Sequence, residues 1–260
     1  MTDITMRRAI KWNSFADTNV GCIREVNEDA VLDKPELGLW VVADGMGGYE
    51  AGDVASKMIV ESLAEIQHSA ILSDFVDAVE DKLIQVNTQI LEYADLMCDS
   101  HTMGSTVVCL IVRGRLGVCL WAGDSRLYRY RNGELEQLSQ DHSQIEELIQ
   151  QGFLKREDAI NHPDANIITR AVGACDDIYI AINVFSTQIG DTYLLCSDGL
   201  HNSITTESMI ESLNEQNVEK STEKMLSMAL ENNASDNVSL ITVRGEPDKI
   251  INKRVVISSN

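Results

Sequence analysis

Four aspartates stand where apolar runs stop or start. Asp44 follows the run Leu39–Ala43 in "GLWVVADGMGG". Asp124 follows "LWAG", Asp198 follows "YLLCS", and Asp236 precedes "NVSLITV". Carboxylates at the ends of buried strands are costly without a counter-charge. Two of them about 4 Å apart repel by about 4 kcal/mol at an effective dielectric of about 20. A divalent cation removes that repulsion, and an all-oxygen donor set suits magnesium or manganese rather than zinc. "REVNEDA" (24–30) adds Arg24, Glu28 and Asp29. A guanidinium beside carboxylate-bound ions is suited to a phosphate, which it can grip bidentately. Taken singly, each Asp-Gly reads as a turn and Arg24 with Glu28 as a surface ion pair. The set together points to metal-assisted chemistry on phosphate.

These residues need strands to carry them. Residues 37–43 read as a buried strand that ends at Asp44. A helix over 51–67 presents Val54, Met58, Ile59, Leu63 and Ile66 on one face. A second, over about 74–97 with Ser73 as its N-cap, presents Val76, Val79, Leu83, Val86, Ile90, Ala94 and Met97. "STVVCLIV" (105–112) and "LGVCLWAG" (116–123) are apolar without alternation, so they must be covered on both faces. "RLYRYRNGELEQLS" alternates around Asn132-Gly133, a strong hairpin signal. A polar segment, 140–165, holds two short amphipathic helices. Strands follow at 178–185, 192–197 and 238–243, with helices at about 205–214 and 218–231. A short strand is also expected after Asp29. The order does not alternate strand and helix. It predicts an α+β fold: two packed, mainly antiparallel sheets flanked by helices. In antiparallel neighbours the end of one strand lies beside the start of the next, so the four aspartates can share one rim.

Composition narrows the function classes. The chain has 260 residues and is 44% hydrophobic, enough for a substantial core. Its formal net charge of −20 disfavours nucleic acid and anionic membrane surfaces and attracts cations and basic protein segments. No stretch reads as a signal peptide or a membrane span. The six cysteines are scattered, without a C-x-x-C pair, and read as thiols of a reducing cytoplasm. No exposed heptad asks for a partner, so a monomer is expected.

The sequence resembles the type-2C, metal-dependent serine/threonine protein phosphatases, and most closely their bacterial branch. The pieces that match, in family order, are "REVNEDA", "VVADGMGG", "GSTVV", "AGDSRLY", "DHSQIEELIQQG", "HPDANIITRAVG", "LLCSDGL" and "SDNVSLITV". They span about residues 12–244. The resemblance implies a four-layer α-β-β-α sandwich forming a single catalytic domain over 1–260, with a flap at about 140–165 and a tail at about 245–260.

It also implies two ions, magnesium or manganese. Asp44 would bridge them, Asp198 and Asp236 would complete one site, and the Gly45 carbonyl would serve the other with Glu28 holding its waters. A third, weaker ion would use Asp124 and Asp198, and Arg24 would bind the phosphate. The implied reaction is hydrolysis of phosphoserine and phosphothreonine in proteins by a metal-activated water, opposing a eukaryotic-like serine/threonine kinase in a bacterium. Neither Ser125 nor a cysteine serves as nucleophile. Two departures stand out. Met46 occupies a position where eukaryotic members often carry a histidine, the proposed general acid, and a thioether cannot deliver a proton. His142 and His162 are substitutes on chemistry alone. Ala165 stands where bacterial relatives often have arginine. A binding-only regulator and a hydrolase of small phosphoesters are the competing readings.

Overall fold

The computed structural model describes residues 9–47, 51–97, 103–159, 162, 164 and 167–248. Among the described residues, eleven strands and seven helices follow one another in this order: β1 Ile10–Asn19, β2 Asp29–Lys34, β3 Leu39–Gly47, α1 Ala51–Ala64, α2 Leu72–Met97, β4 Met103–Ser105, β5 Val107–Arg113, β6 Leu116–Ala122, β7 Arg126–Arg131, β8 Glu134–Gln137, α3 Gln144–Gln150, α4 Arg156–Ala159, β9 Ala181–Ser186, β10 Thr192–Cys196, α5 Asp198–His201, α6 Thr206–Leu213, α7 Val218–Glu231 and β11 Val238–Pro247. One sheet runs β1-β11-β10-β7-β8. The other runs β2-β3-β5-β6-β9, with β4 added beside β3. Every pairing is antiparallel.

Strand alternation builds the layers. On β3, Leu39, Val41 and Ala43 pack outward with Ile59 and Leu63 of α1 and Val79, Leu83 and Ile90 of α2. Trp40 and Val42 pack inward against Tyr193, Leu195, Ile241 and Val243 of the other sheet. The outer face of that second sheet is covered by Leu200 of α5, Met209 and Leu213 of α6, and Met225 and Ala229 of α7. The result is the expected α-β-β-α sandwich. The runs without alternation, β5 and β6, are indeed buried on both faces. Val108 and Leu110 lie between the sheets, whereas Cys109 and Ile111 face the helices.

The turns are those the sequence specifies. Arg131 pairs with Glu134 across Asn132 (φ 54°) and Gly133 (φ 89°), a two-residue hairpin with both central residues left-handed. Other boundaries moved. Helix α1 stops at Ala64, and its buried face is led by Ala55, Ser56, Ile59 and Leu63, with Val54 and Met58 only half-buried. Helix α2 starts at Leu72, and the Phe75 N–H already donates to the Ile71 carbonyl, so Ser73 lies inside the helix rather than capping it. Met97 is exposed. Strand β1 and the one-turn helix α5 have no counterpart in the sequence reading. β1 is a mixed, half-buried edge strand, held by pairing with β11 over its whole length.

The largest correction concerns Asp44. Strand β3 does not end there but continues to Gly47. The register that pairs Val42 with Val108 carries on to pair Gly45 with Ser105. Asp44 therefore sits within the strand, opposite Asp29 on one side and beside Thr106 on the other.

Candidate metal centre

Parity along β3 decides where Asp44 points. It follows Trp40 and Val42 by steps of two, so its side chain belongs to the face between the sheets. The same parity on β11 carries the series Val243, Ile241, Ser239 and Asn237. On β10 it carries Tyr193, Leu195 and Ser197. The seam between the sheets is thus apolar along its middle and polar at one end. There a cavity of about 260 Å³ opens, lined by Arg24, Glu28, Asp44, Gly45, Met46, Gly47, Thr106, Asp124, Ile168, Asp198 and Asp236. Every site residue expected from the sequence lies on its wall.

Each carboxylate is held by local structure. The Asp44 backbone is fixed by Thr106, whose N–H donates to the Asp44 carbonyl at 2.8 Å and whose Oγ1 accepts from the Asp44 N–H at 3.3 Å. Thr106 Oγ1 also meets Ser125 Oγ at 2.7 Å, which ties in the loop that carries Asp124. Ser125 is 1% exposed and committed to this bond, a structural role rather than a nucleophile's. Asp198 is the first residue of α5 and accepts from Asn202 Nδ2 at 3.2 Å. Arg24 donates to Asp236 Oδ2 at 2.7 Å, with the arginine side chain 51% exposed at the rim. Asn237 then anchors the 20–28 loop. Its Oδ1 accepts from the Glu28 N–H at 2.8 Å, and its Nδ2 donates to the Val20 and Val26 carbonyls at 2.9 and 3.0 Å.

Packing requires a glycine at position 45. A Cβ there would lie 2.0 Å from the Gly52 carbonyl oxygen and 2.6 Å from that of Glu28. The missing side chain lets the start of α1 and the segment at Glu28 close onto β3.

Burial and crowding control the charges. Asp44 is raised well above the usual carboxylate range, first by burial and then by Asp29, Asp198, Asp124 and Asp236. Asp124 is pushed up to about 7 by burial and by Asp198 and Asp141, and Asp198 to about 6 by burial and Asp236. Glu28 is raised by burial against the opposing pull of Arg24. Burial and the neighbouring carboxylates thus favour the protonated forms of Asp44 and Asp198 when no cation is bound. Arg24 is raised by its bond to Asp236.

Asp29, named with Arg24 and Glu28 in the sequence, has no part in the ion set that the resemblance implies. It is buried at 6% exposure and faces Asp44 in register. Ser197 Oγ donates to its Oδ2 at 2.8 Å, while its Oδ1 is buried without a hydrogen-bond partner. Burial raises it to about 7. The usable signal was its place at the first position of β2, opposite Asp44.

The donor set fits hard divalent cations. It is all oxygen, anionic and held by rigid elements. Beside it, Asp29 Oδ1 is buried without a hydrogen-bond partner. Among the described residues no three His, Cys, Asp or Glu side chains form a ready-made cage for one ion, so water and backbone carbonyls would share in holding a bound ion.

The two histidines offered as proton donors differ in their surroundings. His142 stacks on Trp121 and is lowered to about 4 by burial and Arg170, so it is neutral near pH 7. His162 Nδ1 accepts from the Asp164 N–H at 3.3 Å and does not line the cavity. Ala165 and Gly48 lie outside the described residues.

The model of the family described as protein phosphatase 2C matches residues 24–239. The chain belongs to that family. Its phosphatase 2C relatives include the serine/threonine phosphatase stp of Listeria monocytogenes, 37% identical over 234 residues that cover 87% of this chain and 93% of the relative. Among solved structures, PppA of Pseudomonas aeruginosa, described as a key regulatory component of T6SS, superposes with a TM-score of 0.85 at 40% identity. It covers 91% of this chain and 99% of its own. The catalytic domain of the serine/threonine phosphatase PstP, in complex with two manganese ions, superposes with a TM-score of 0.81 at 28% identity, covering 92% and 99%.

The raised carboxyls make a stability prediction. Asp29, Asp124 and Asp198 have folded values above their ordinary 3.8. The stability they contribute is present in full below that value and is lost as the pH rises through 6 and 7. In EDTA the melting temperature should fall across that range, and Asp124→Asn should flatten the fall. Saturating magnesium should raise the curve most at the alkaline end. An EDTA curve that climbs with pH, or one unchanged by Asp124→Asn, contradicts the assignment.

Proposed function

We propose that this chain hydrolyses phosphoserine and phosphothreonine in proteins with two bound divalent ions, magnesium or manganese. The observation that carries the reading is the cavity at the end of the sheet seam, where buried aspartates meet one guanidinium. The family and the manganese-bound relative support it. Asp44 would bridge the ions. Asp198 and Asp236 would complete one site, the Gly45 carbonyl the other, with Glu28 holding waters and Asp124 with Asp198 serving a third ion. When bound, the ions supply an acidified water and neutralise charge on the phosphoryl oxygens.

The chain's own residues do the rest. Arg24, half-exposed at the rim, can take a phosphoryl oxygen pair with the N–H donors that Asp236 leaves over. The hydrogen-bonded frame of β3, Thr106 and Asn237 holds the carboxylates in place. Met46 and Ile168 give the cavity an apolar wall against which the substrate's β-carbon can rest. His142 is half-buried and neutral near pH 7, so the leaving oxygen takes its proton from solvent rather than from that ring.

The reading extends to setting. The substrates would be proteins phosphorylated by a serine/threonine kinase, and the enzyme would act as a cytoplasmic monomer in signalling. Among the described residues no helix is long and apolar enough to cross a membrane, and the five described cysteines are free thiols. A net charge of −20 favours basic protein segments over nucleic acid as partners.

Phosphate release from a phosphothreonine peptide should appear with manganese or magnesium and vanish in EDTA. Asp198→Asn should lower kcat by at least about 100-fold, the scale of losing a principal charge-stabilising group. No release from the folded wild type with either metal would leave a binding-only protein. In a single turnover in oxygen-18 water, the released phosphate should carry one labelled oxygen. Unlabelled phosphate in that turnover would mean that the substrate's C–O bond breaks, as in β-elimination, and would contradict attack of water on phosphorus.

A further inference from the structure

The loop that carries Asp124 is gripped from the flap by one residue, His142. The two residues meet twice, once backbone to backbone and once backbone to ring. The His142 N–H donates to the Gly123 carbonyl at 2.9 Å, and the Gly123 N–H donates back to His142 Nδ1 at 3.2 Å. The ring lies parallel to Trp121, with centroids 5.8 Å apart and planes at 11°. Trp121 is the last inward-facing residue of β6, and its Nε1–H donates to the Gln140 carbonyl at 2.7 Å. The far side of His142 holds the return limb of the flap. The Thr169 N–H donates to the His142 carbonyl at 2.8 Å, and Ser143 bridges to Ile168, which lines the cavity.

Gly123 has no freedom to shift. Its φ is +113°, and a Cβ there would lie 2.5 Å from Thr106 Cβ. The loop is therefore pressed onto the threonine that fixes Asp44. His201, half-buried in α5, holds the next peptide: its Nε2 lies 3.3 Å from the Asp124 carbonyl. With Nδ1 accepting from Gly123, the proton of the His142 ring resides on Nε2. That nitrogen lies 3.4 Å from Arg170 Nη1; in this tautomer two donors face each other there without a hydrogen bond, and the cation opposes a second proton on the ring.

We propose that His142 is a positioning residue, whose Nδ1 acceptor and backbone N–H clamp Gly123 so that Asp124 is presented to the cavity in register with the flap residue Ile168. The part of this inference that concerns ion binding rests on the phosphatase reading above. The clamp itself does not. It explains why a half-buried, neutral histidine stands beside an acidic site without taking part in proton transfer.

Three variants separate the ring's possible roles. His142→Phe keeps the stack on Trp121 and removes the acceptor. His142→Asn places an acceptor atom where Nδ1 stood and removes the ring. His142→Ala removes both. The first readout is amide hydrogen exchange of Gly123 by NMR in the ion-free protein, with the melting temperature of each variant recorded beside it. Exchange should quicken at least about fivefold in His142→Phe and His142→Ala, the scale of one lost hydrogen bond, and stay within about twofold of wild type in His142→Asn. The second readout is manganese titration by calorimetry. The weakest-binding ion should lose affinity in the Phe variant and recover it in the Asn variant.

Wild-type protection of Gly123 in His142→Phe would overturn the clamp. So would His142→Asn behaving like His142→Ala. A loss of kcat in His142→Asn with protection and manganese binding both intact would reassign the ring to proton transfer. If the wild type binds no manganese, the phosphatase reading falls, and Gly123 exchange still decides the clamp.

Discussion

The structure depends on a single electrostatic conflict. Two sheets face each other across an apolar seam, and at one end the same inward-facing strand positions carry Asp44, Asp29, Ser197, Ser239 and Asn237. Hydrophobic packing fixes the strands, and the strands force the carboxylates together. Trp40 and Leu195, each fully buried, cannot move to relieve the crowding. Protonation or bound cations must relieve it instead. The raised carboxyls show the first route, and the all-oxygen donor set invites the second.

Around that conflict stands a frame of uncharged hydrogen bonds. Thr106 links Asp44 to Ser125, and Asn237 links the Arg24–Glu28 loop to β11. Ser197 supports Asp29 and also accepts from the Ser239 N–H at 3.0 Å. These side chains carry no net charge, so they add no repulsion, and each replaces hydration lost on burial. The acidic groups can then be crowded without the loops that bear them splaying apart. The frame reaches the flap through Gly123 and His142, which joins the flap side of the cavity to the sheet side.

Much of this was legible in the sequence because the residues involved interrupt strong patterns. Asp44, Asp124, Asp198 and Asp236 break long apolar runs, and Asn132-Gly133 can only be a tight turn. What the sequence did not disclose depends on pairing across the chain. Asp29 becomes part of the site only because β2 lies in register opposite Asp44. Asn237 acts on residues more than 200 positions away. Gly45 is small because Gly52 and Glu28 press on it from two other elements. Strand β1 is half polar and exists through its ladder to β11, a partner that no local window contains. Asp44 looked like a strand end because apolarity stopped there, whereas hydrogen bonding continued to Gly47. Hydrophobicity marks the core, and strand pairing extends past it.

The account's central claim is that cations displace protons from a crowded carboxylate cluster. It is tested most directly by calorimetric titration of the ion-free protein with manganese, in buffers of different ionisation enthalpy. Ligand carboxyls must be deprotonated to bind, so ion binding should release protons. At about pH 6 net release should approach or exceed about one proton per protein, and it should fall above about pH 8, once Asp29, Asp124 and Asp198 are already ionised and Asp44 alone can still give up a proton. Manganese binding with no proton release at any pH would contradict the claim, and the carboxylates would then be ionised and held apart by the protein alone.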